Sequence, residues 1–170
     1  MSSDGRFISY ITDTPDTDAG NQPIARISVY DLDGGSYRIA GTIKGSASFL
    51  IRDSDLSADG RFLIVSGGGG LPPDKVKVFE WNGTDYVIKG SQIVKEELSG
   101  FGRSGVAINE TGDIVAIAAL TASKSDSSSS EAYGAITIFE WDSNLNDWKQ
   151  KGSTIWGDEA GDALGVNISL

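Results

Sequence analysis

Three aspartates at close spacing, Asp13, Asp16 and Asp18, precede Gly20 and are the side chains of this chain best typed for a hard cation. Calcium gathers several oxygen ligands at once, and carboxylates set along a glycine bend bring them to one point. The stretch from Asn21 to Ala25 carries no later carboxylate, so the pattern is the first half of a calcium loop. Calcium is the one cofactor expected here. A second set of acids, Asp31, Glu80 and Glu140, could serve glycoside hydrolysis, which needs two carboxylates across a pocket. They recur once per repeat at one position, as a structural element does. Gly100-Phe101-Gly102-Arg103-Ser104-Gly105 spells the dinucleotide fingerprint, but that motif works between a strand and a helix, and the residues that follow it are patterned as strand. Gly67 to Gly70 lacks the Gly-Lys-Ser/Thr ending of a phosphate loop. With no histidine and no cysteine, the chain excludes His-based triads, His or thiolate metal sites and thiol redox chemistry within itself.

Composition narrows the partners. A formal charge of -10 with no cluster of Lys and Arg opposes nucleic-acid binding, which depends on neutralising phosphates. The longest apolar run, Ile114 to Leu120, falls far short of the roughly 20 residues that cross a bilayer, and Met1-Ser2-Ser3-Asp4 opens without a basic or apolar stretch. No membrane contact or signal peptide is expected. Protein or glycan partners remain. The compartment is not legible, with an extracellular setting slightly favoured. Hydrophobic residues make up 39% of the 170, enough for one globular domain or one stretch of a larger array.

The elements that would position these groups come in repeats. Ser3-Asp4-Gly5-Arg6-Phe7-Ile8 returns as Ala58-Asp59-Gly60-Arg61-Phe62-Leu63 and, loosely, as Glu110-Thr111-Gly112-Asp113-Ile114-Val115, with the glycines 55 and then 52 residues apart. A second frame follows each time: Ile27-Ser28-Val29-Tyr30-Asp31, Val76-Lys77-Val78-Phe79-Glu80-Trp81 and Ile136-Thr137-Ile138-Phe139-Glu140-Trp141. Such a period marks a supersecondary unit that must stack on its neighbours to bury its apolar faces. Each copy reads as four strands. The one after the glycine turn is apolar on both faces and the next alternates. The third is polar around Tyr37, Tyr86 or Trp148, and the fourth leads into the next turn. Asp33-Gly34 and Asn82-Gly83 mark hairpins between the second and third. The reading is all-β: one repeat region over 1–170, with copies at about 1–55, 56–107 and 108–170.

This grammar resembles the blades of FG-GAP-like and WD-repeat β-propellers. Phe101-Gly102 falls where that FG would lie, Leu164-Gly165 takes the matching place, and Ser48 to Asp55 departs from the pattern. The resemblance implies a propeller segment of three four-stranded blades and, for Asp13, Asp16 and Asp18, the start of a calcium loop. Three blades are too few to close a ring. Leu170 and Met1 both occupy the place of Leu56, so residues 165–170 are expected to complete a first blade. Two routes stay open: a head-to-tail homodimer forming a six-bladed ring, or further blades in a longer chain.

Function is expected on the loops. Thr12 to Ala25, Ser66 to Asp74 and Thr121 to Gly134 are the variable ones, and they share a rim with the crossovers Lys95 to Phe101 and Trp156 to Leu164. The candidate binding residues there are Asp74, Glu96, Glu97, Trp156, Asp158 and Asp162, an acidic rim with one aromatic. Ser123 to Ser130 is low in complexity and expected to be mobile. The function that follows is a non-enzymatic interaction or scaffold module. A carbohydrate-binding or carbohydrate-hydrolysing propeller is the alternative.

Overall fold

The computed structural model describes residues 1–2, 4–17, 23–46, 48–68, 74–124 and 132–170, with the side chains of 13–17 and 23–24 left aside. Each sheet carries the same small device at one turn. Ser57 Oγ donates to Asp59 Oδ1 at 2.7 Å and accepts the Phe62 N–H at 2.9 Å, while Asp59 also takes the Arg61 N–H. Ser2 and Asp4 repeat this before Phe7. In the third copy Asn109 takes the place of serine, and its Oδ1 accepts the N–H groups of Asp113 and Ile114. A short polar side chain that bonds its own backbone fixes a turn without helix or ladder, which is the use of Ser-x-Asp-Gly here.

Strands follow from these turns. The first sheet holds β1 (Phe7–Thr17), β2 (Pro23–Asp33) and β3 (Ser36–Lys44) in that order. The second holds β4 (Leu50–Leu56), β5 (Phe62–Gly68), β6 (Lys75–Trp81) and β7 (Tyr86–Ile88). The third runs β8 (Phe101–Ile108), β9 (Ile114–Ala119), β10 (Ala135–Asp142) and β11 (Asp147–Gln150), with β12 (Ile155–Trp156) also paired to β10. All ladders are antiparallel, and no helix occurs among the described residues. Residues 50–56 and 101–108, each just before a glycine turn, belong to the sheet that follows them.

Two expectations are corrected. The stretch from Thr12 to Ala25 is largely a hairpin extension, since β1 and β2 run on to a Thr17–Pro23 pair after an irregularity beyond Asp13. The sheets are not uniformly four-stranded: the first has three strands, because nothing pairs with the inner edge of β1 among the described residues. Residues 165–170, expected to complete a first blade, form no ladder within this chain. The segment that holds the equivalent place one sheet earlier is β8. There the carboxylates of Asp53 and Asp55 accept the N–H groups of Val106 and Ile108 at 3.0 and 3.1 Å and hold β8 in place. The positions facing 165–170 are Gly105 and Ala107, which offer no such acceptor. Ile168 packs against Gly105 instead, its Cγ1 standing 3.2 Å from where a β-carbon would be.

Two cores bind the sheets face to face. Between first and second lie Ile27, Val29, Phe49, Leu63 and Val65; between second and third lie Phe62, Ile64, Val76, Val78, Phe101, Val115, Ile117 and Phe139. The central strand β5 is buried throughout, as its two apolar faces require. Each junction repeats two contacts. A turn glycine of one sheet lies flat on an aromatic ring of the preceding one: Gly60 on Phe7, Gly112 on Phe62. An outer aromatic pair covers a glycine of the preceding outer segment: Trp81 and Tyr86 over Gly41 within β3, Trp141 and Trp148 over Gly90 just past β7. At the second junction the Lys89 amine stands 4.3, 4.7 and 5.7 Å from the ring centres of Phe62, Trp141 and Trp148. Burial holds its pKa below the usual lysine value, and the ring faces offset part of that cost.

Gly60→Ala should therefore be worse than Gly83→Ala. Both have positive φ, so each loses about 1–2 kcal/mol of backbone preference, but only Gly60 has a ring in the way, adding about 1–3 kcal/mol of overpacking. Urea unfolding of the two variants measures the difference. Asp147 gives a second check. Its carboxylate accepts the Ser91 N–H across the junction at 2.8 Å, and that bond holds its pKa below 3.8. A lowered carboxylate stabilises the fold above its unfolded pKa and ceases to do so as pH falls through the folded one. Melting temperature should fall less steeply from pH 5 to about 2 in Asp147→Asn than in the parent chain.

Candidate functional site

The rim residues do not all meet. Asp74, Glu96 and Glu97 line one cavity of about 230 Å³ together with Lys95, Leu98, Ser99, Gly100 and Arg103. Asp74 precedes β6, Arg103 sits in β8, and the crossover from β7 supplies the rest. Leu98 is buried in the core between second and third sheets and pins that crossover down. Its backbone is tied by the Phe101 N–H donating to the Leu98 carbonyl and the Leu98 N–H to Lys95.

Charge in the cavity is mostly paired. Arg103 Nε lies 2.8 Å from Asp74 Oδ2, and the Asp74 side chain is only 11% exposed. Lys95 Nζ lies 2.6 Å from Glu97 Oε1. The lysine hydrogen bond holds the Glu97 carboxyl below the usual range. Glu96 is exposed and forms no ion pair among the described residues. Sequence reasoning found the three acids and missed Lys95 and Arg103. Arg103 had been visible only as part of a fingerprint look-alike, and nothing in the sequence shows that β8 brings it to Asp74.

Trp156, Asp158 and Asp162 do not line this cavity. Trp156 pairs with Ala135 in the β10–β12 ladder and packs, half-buried, on the second core. Asp162 Oδ2 accepts the Glu159 N–H at 2.8 Å and shapes the crossover turn. Asp158 is exposed. Of the calcium candidates, Asp18 lies outside the described residues, as do the side chains of Asp13 and Asp16. Ser125 to Ser130 lies outside them too. Among the described residues no three acidic side chains converge as a metal site would require.

The repeated acids are structural. Asp31 takes Arg6 at 2.7 Å and Glu80 takes Arg61 at 2.6 Å, each arginine coming from the glycine turn of the same sheet. In the third copy Asp113 replaces that arginine, and Glu140 turns to Lys151 instead.

No family model matches the sequence, and no curated protein matches it. Solved structures do. A Bacteroides fragilis protein assigned as a 6-phosphogluconolactonase superposes with a TM-score of 0.54 at 17% identity, over 98% of this chain and 39% of its own. The β-propeller domain of the trilobed protease from Pyrococcus furiosus, which has an open velcro topology, gives 0.52 at 15%, over 94% and 42%. The chain thus spans about two-fifths of each. At these identities the likeness speaks for fold alone, and it supports a β-propeller.

Arg103→Ala should destabilise the chain by about 1–2 kcal/mol, since it leaves the nearly covered Asp74 carboxylate without its cation while the guanidinium itself is half-exposed. Asp74→Ala with Arg103→Ala should recover part of the loss in chemical unfolding.

Proposed function

We propose that this chain is a non-enzymatic interaction module of the β-propeller type, binding a basic protein segment through the acidic rim around the Asp74–Glu97 cavity. The observation that carries the reading is the pairing inside that cavity. Asp74 is committed to Arg103 and Glu97 to Lys95, so the site is a fixed pattern of charge with Glu96 outermost. Glu96, Asp158 and Asp162 extend the negative rim. Calcium on Asp13, Asp16 and Asp18 would be an accessory to this module, and its test is a shift in melting temperature on adding calcium.

Carbohydrate binding or hydrolysis is the second reading. On its side stands the presence of three acids along the lining of one cavity, where hydrolysis needs two. Against it stands the protonation state. A general acid needs a raised pKa, and Glu97 is shifted the other way.

The ring is part of the proposal. Three sheets of this kind are half of a six-bladed propeller that a second copy completes head to tail.

A lysine-rich peptide serves as the probe. Fluorescence anisotropy should show binding that weakens with salt and drops about tenfold or more in Glu96→Lys, as a charge reversal at a contact should. Binding indifferent to Glu96→Lys would remove the rim from the proposal. Reducing sugar released from mixed polysaccharides, and abolished by Glu96→Gln, would replace it with the hydrolytic reading.

A further inference from the structure

The two ends of the array carry the two halves of a junction already built twice inside it. On the first sheet, Gly5 holds the place of Gly60 and Gly112, yet a β-carbon there would meet nothing within 4 Å. Leu32 and Tyr37 hold the places of Trp81 with Tyr86 and of Trp141 with Trp148, and both are exposed. Tyr10 and Tyr30 stack at 5.4 Å on the positions that Val65 and Phe79 take in the core between the first and second sheets. Tyr10 is 43% exposed whereas Val65 is fully buried. On the third sheet the complementary positions stand open: Gly152 holds the place of Gly41 and Gly90 with nothing within 4 Å, and Ile114 holds the place of Phe7 and Phe62.

Residues 164–170 add the missing strand. Gly165, at φ 101, packs on Ala118 just as Gly102, at φ 74, packs on Ser66 one sheet earlier. The segment therefore already lies where the innermost strand of a following sheet belongs. What it lacks is an edge to pair with, and β1 is an eleven-residue strand whose inner edge has no partner among the described residues.

We infer that the third sheet of one copy docks on the first sheet of another, with residues 166–170 pairing onto the second copy's β1 as its innermost strand. This rests on the ring proposed above and gives it a register. In the two complete sheets Ser54 faces Val65, Asp55 faces Ile64 and Leu56 faces Leu63; Val106 faces Ile117, Ala107 faces Ala116 and Ile108 faces Val115. The equivalent positions put Ile168 opposite the second copy's Tyr10, Ser169 opposite its Ser9 and Leu170 opposite its Ile8. Gly152 then lies under Leu32 and Tyr37, and Gly5 lies on Ile114. Lys151, which holds the place of Lys89, comes within reach of the Tyr37 ring. A heterologous contact of this kind closes only if its rotation does, and two copies of three sheets fall within the range of about 4 to 8 blades that propellers use.

The chain has no cysteine, so a disulfide reports the register directly. Residues directly opposite on paired strands stand at about 4.5–5.5 Å between α-carbons, within the reach of a disulfide. Ser9→Cys with Ser169→Cys should give a covalent dimer on oxidation, at twice the 17.9 kDa chain mass. Either variant alone, or Ser169→Cys with Ile8→Cys, should not. Light scattering on the parent chain should give the same doubled mass, and Tyr10→Asp should reduce it to a monomer. A parent chain that is monomeric with a sharp unfolding transition overturns the inference. So do open oligomers larger than two, or a dimer that Ser9→Cys with Ser169→Cys does not cross-link. A monomer that still loses the lysine-rich peptide on Glu96→Lys would sink the docking alone. A cross-linked dimer indifferent to that peptide would sink the rim alone.

Discussion

An aromatic ring lying flat on a bare glycine of the next sheet is the contact on which the rest depends. Sheets apolar on both faces must be covered on both, and faces stack closely only where the facing backbone has no side chain. Phe7 on Gly60 and Phe62 on Gly112 meet that need, and the left-handed conformation of both glycines makes the residue doubly obligatory. The same glycines close the Ser57-Ala58-Asp59-Gly60 turn and its Asn109-Glu110-Thr111-Gly112 counterpart. One four-residue motif thus sets the start of a strand and the distance between sheets.

Charge in this protein is spent mainly on holding sheets in shape. Arg6 with Asp31 and Arg61 with Glu80 tie a turn to the hairpin beside it, whereas in the third copy Glu140 pairs with Lys151, just beyond the outer strand. Asp53 and Asp55 use their carboxylates on the backbone of the neighbouring inner strand. What remains uncommitted lies on the crossovers, where loops run over the surface and are free to vary.

The sheets, hairpins and repeat phase were legible because period-2 patterning and turn chemistry act within a few residues. Phe62 to Val65 read as a doubly buried strand and is one; Asn82-Gly83 read as a hairpin turn and is one. The stretch from Thr12 to Ala25 did not read as strand, because its polar residues resemble a loop until the partner strand is known to continue beside it. The cavity was legible in part. Asp74, Glu96 and Glu97 stood out as rim acids, but they lie at opposite ends of two strands, and their neighbours Lys95 and Arg103 have no local signal.

By itself the sequence determined the doubly apolar and alternating strands, the glycine turns ahead of them, and that the sheet faces must be shared, since each of these follows from side-chain periodicity and from turns that bond to themselves. Only the tertiary structure decided that Arg103 neutralises Asp74, that Glu97 is held ionised by Lys95, and that among the described residues neither the inner edge of β1 nor residues 165–170 joins a ladder. Those outcomes depend on how strands far apart in the chain lie side by side, and no local pattern encodes a distance of that kind.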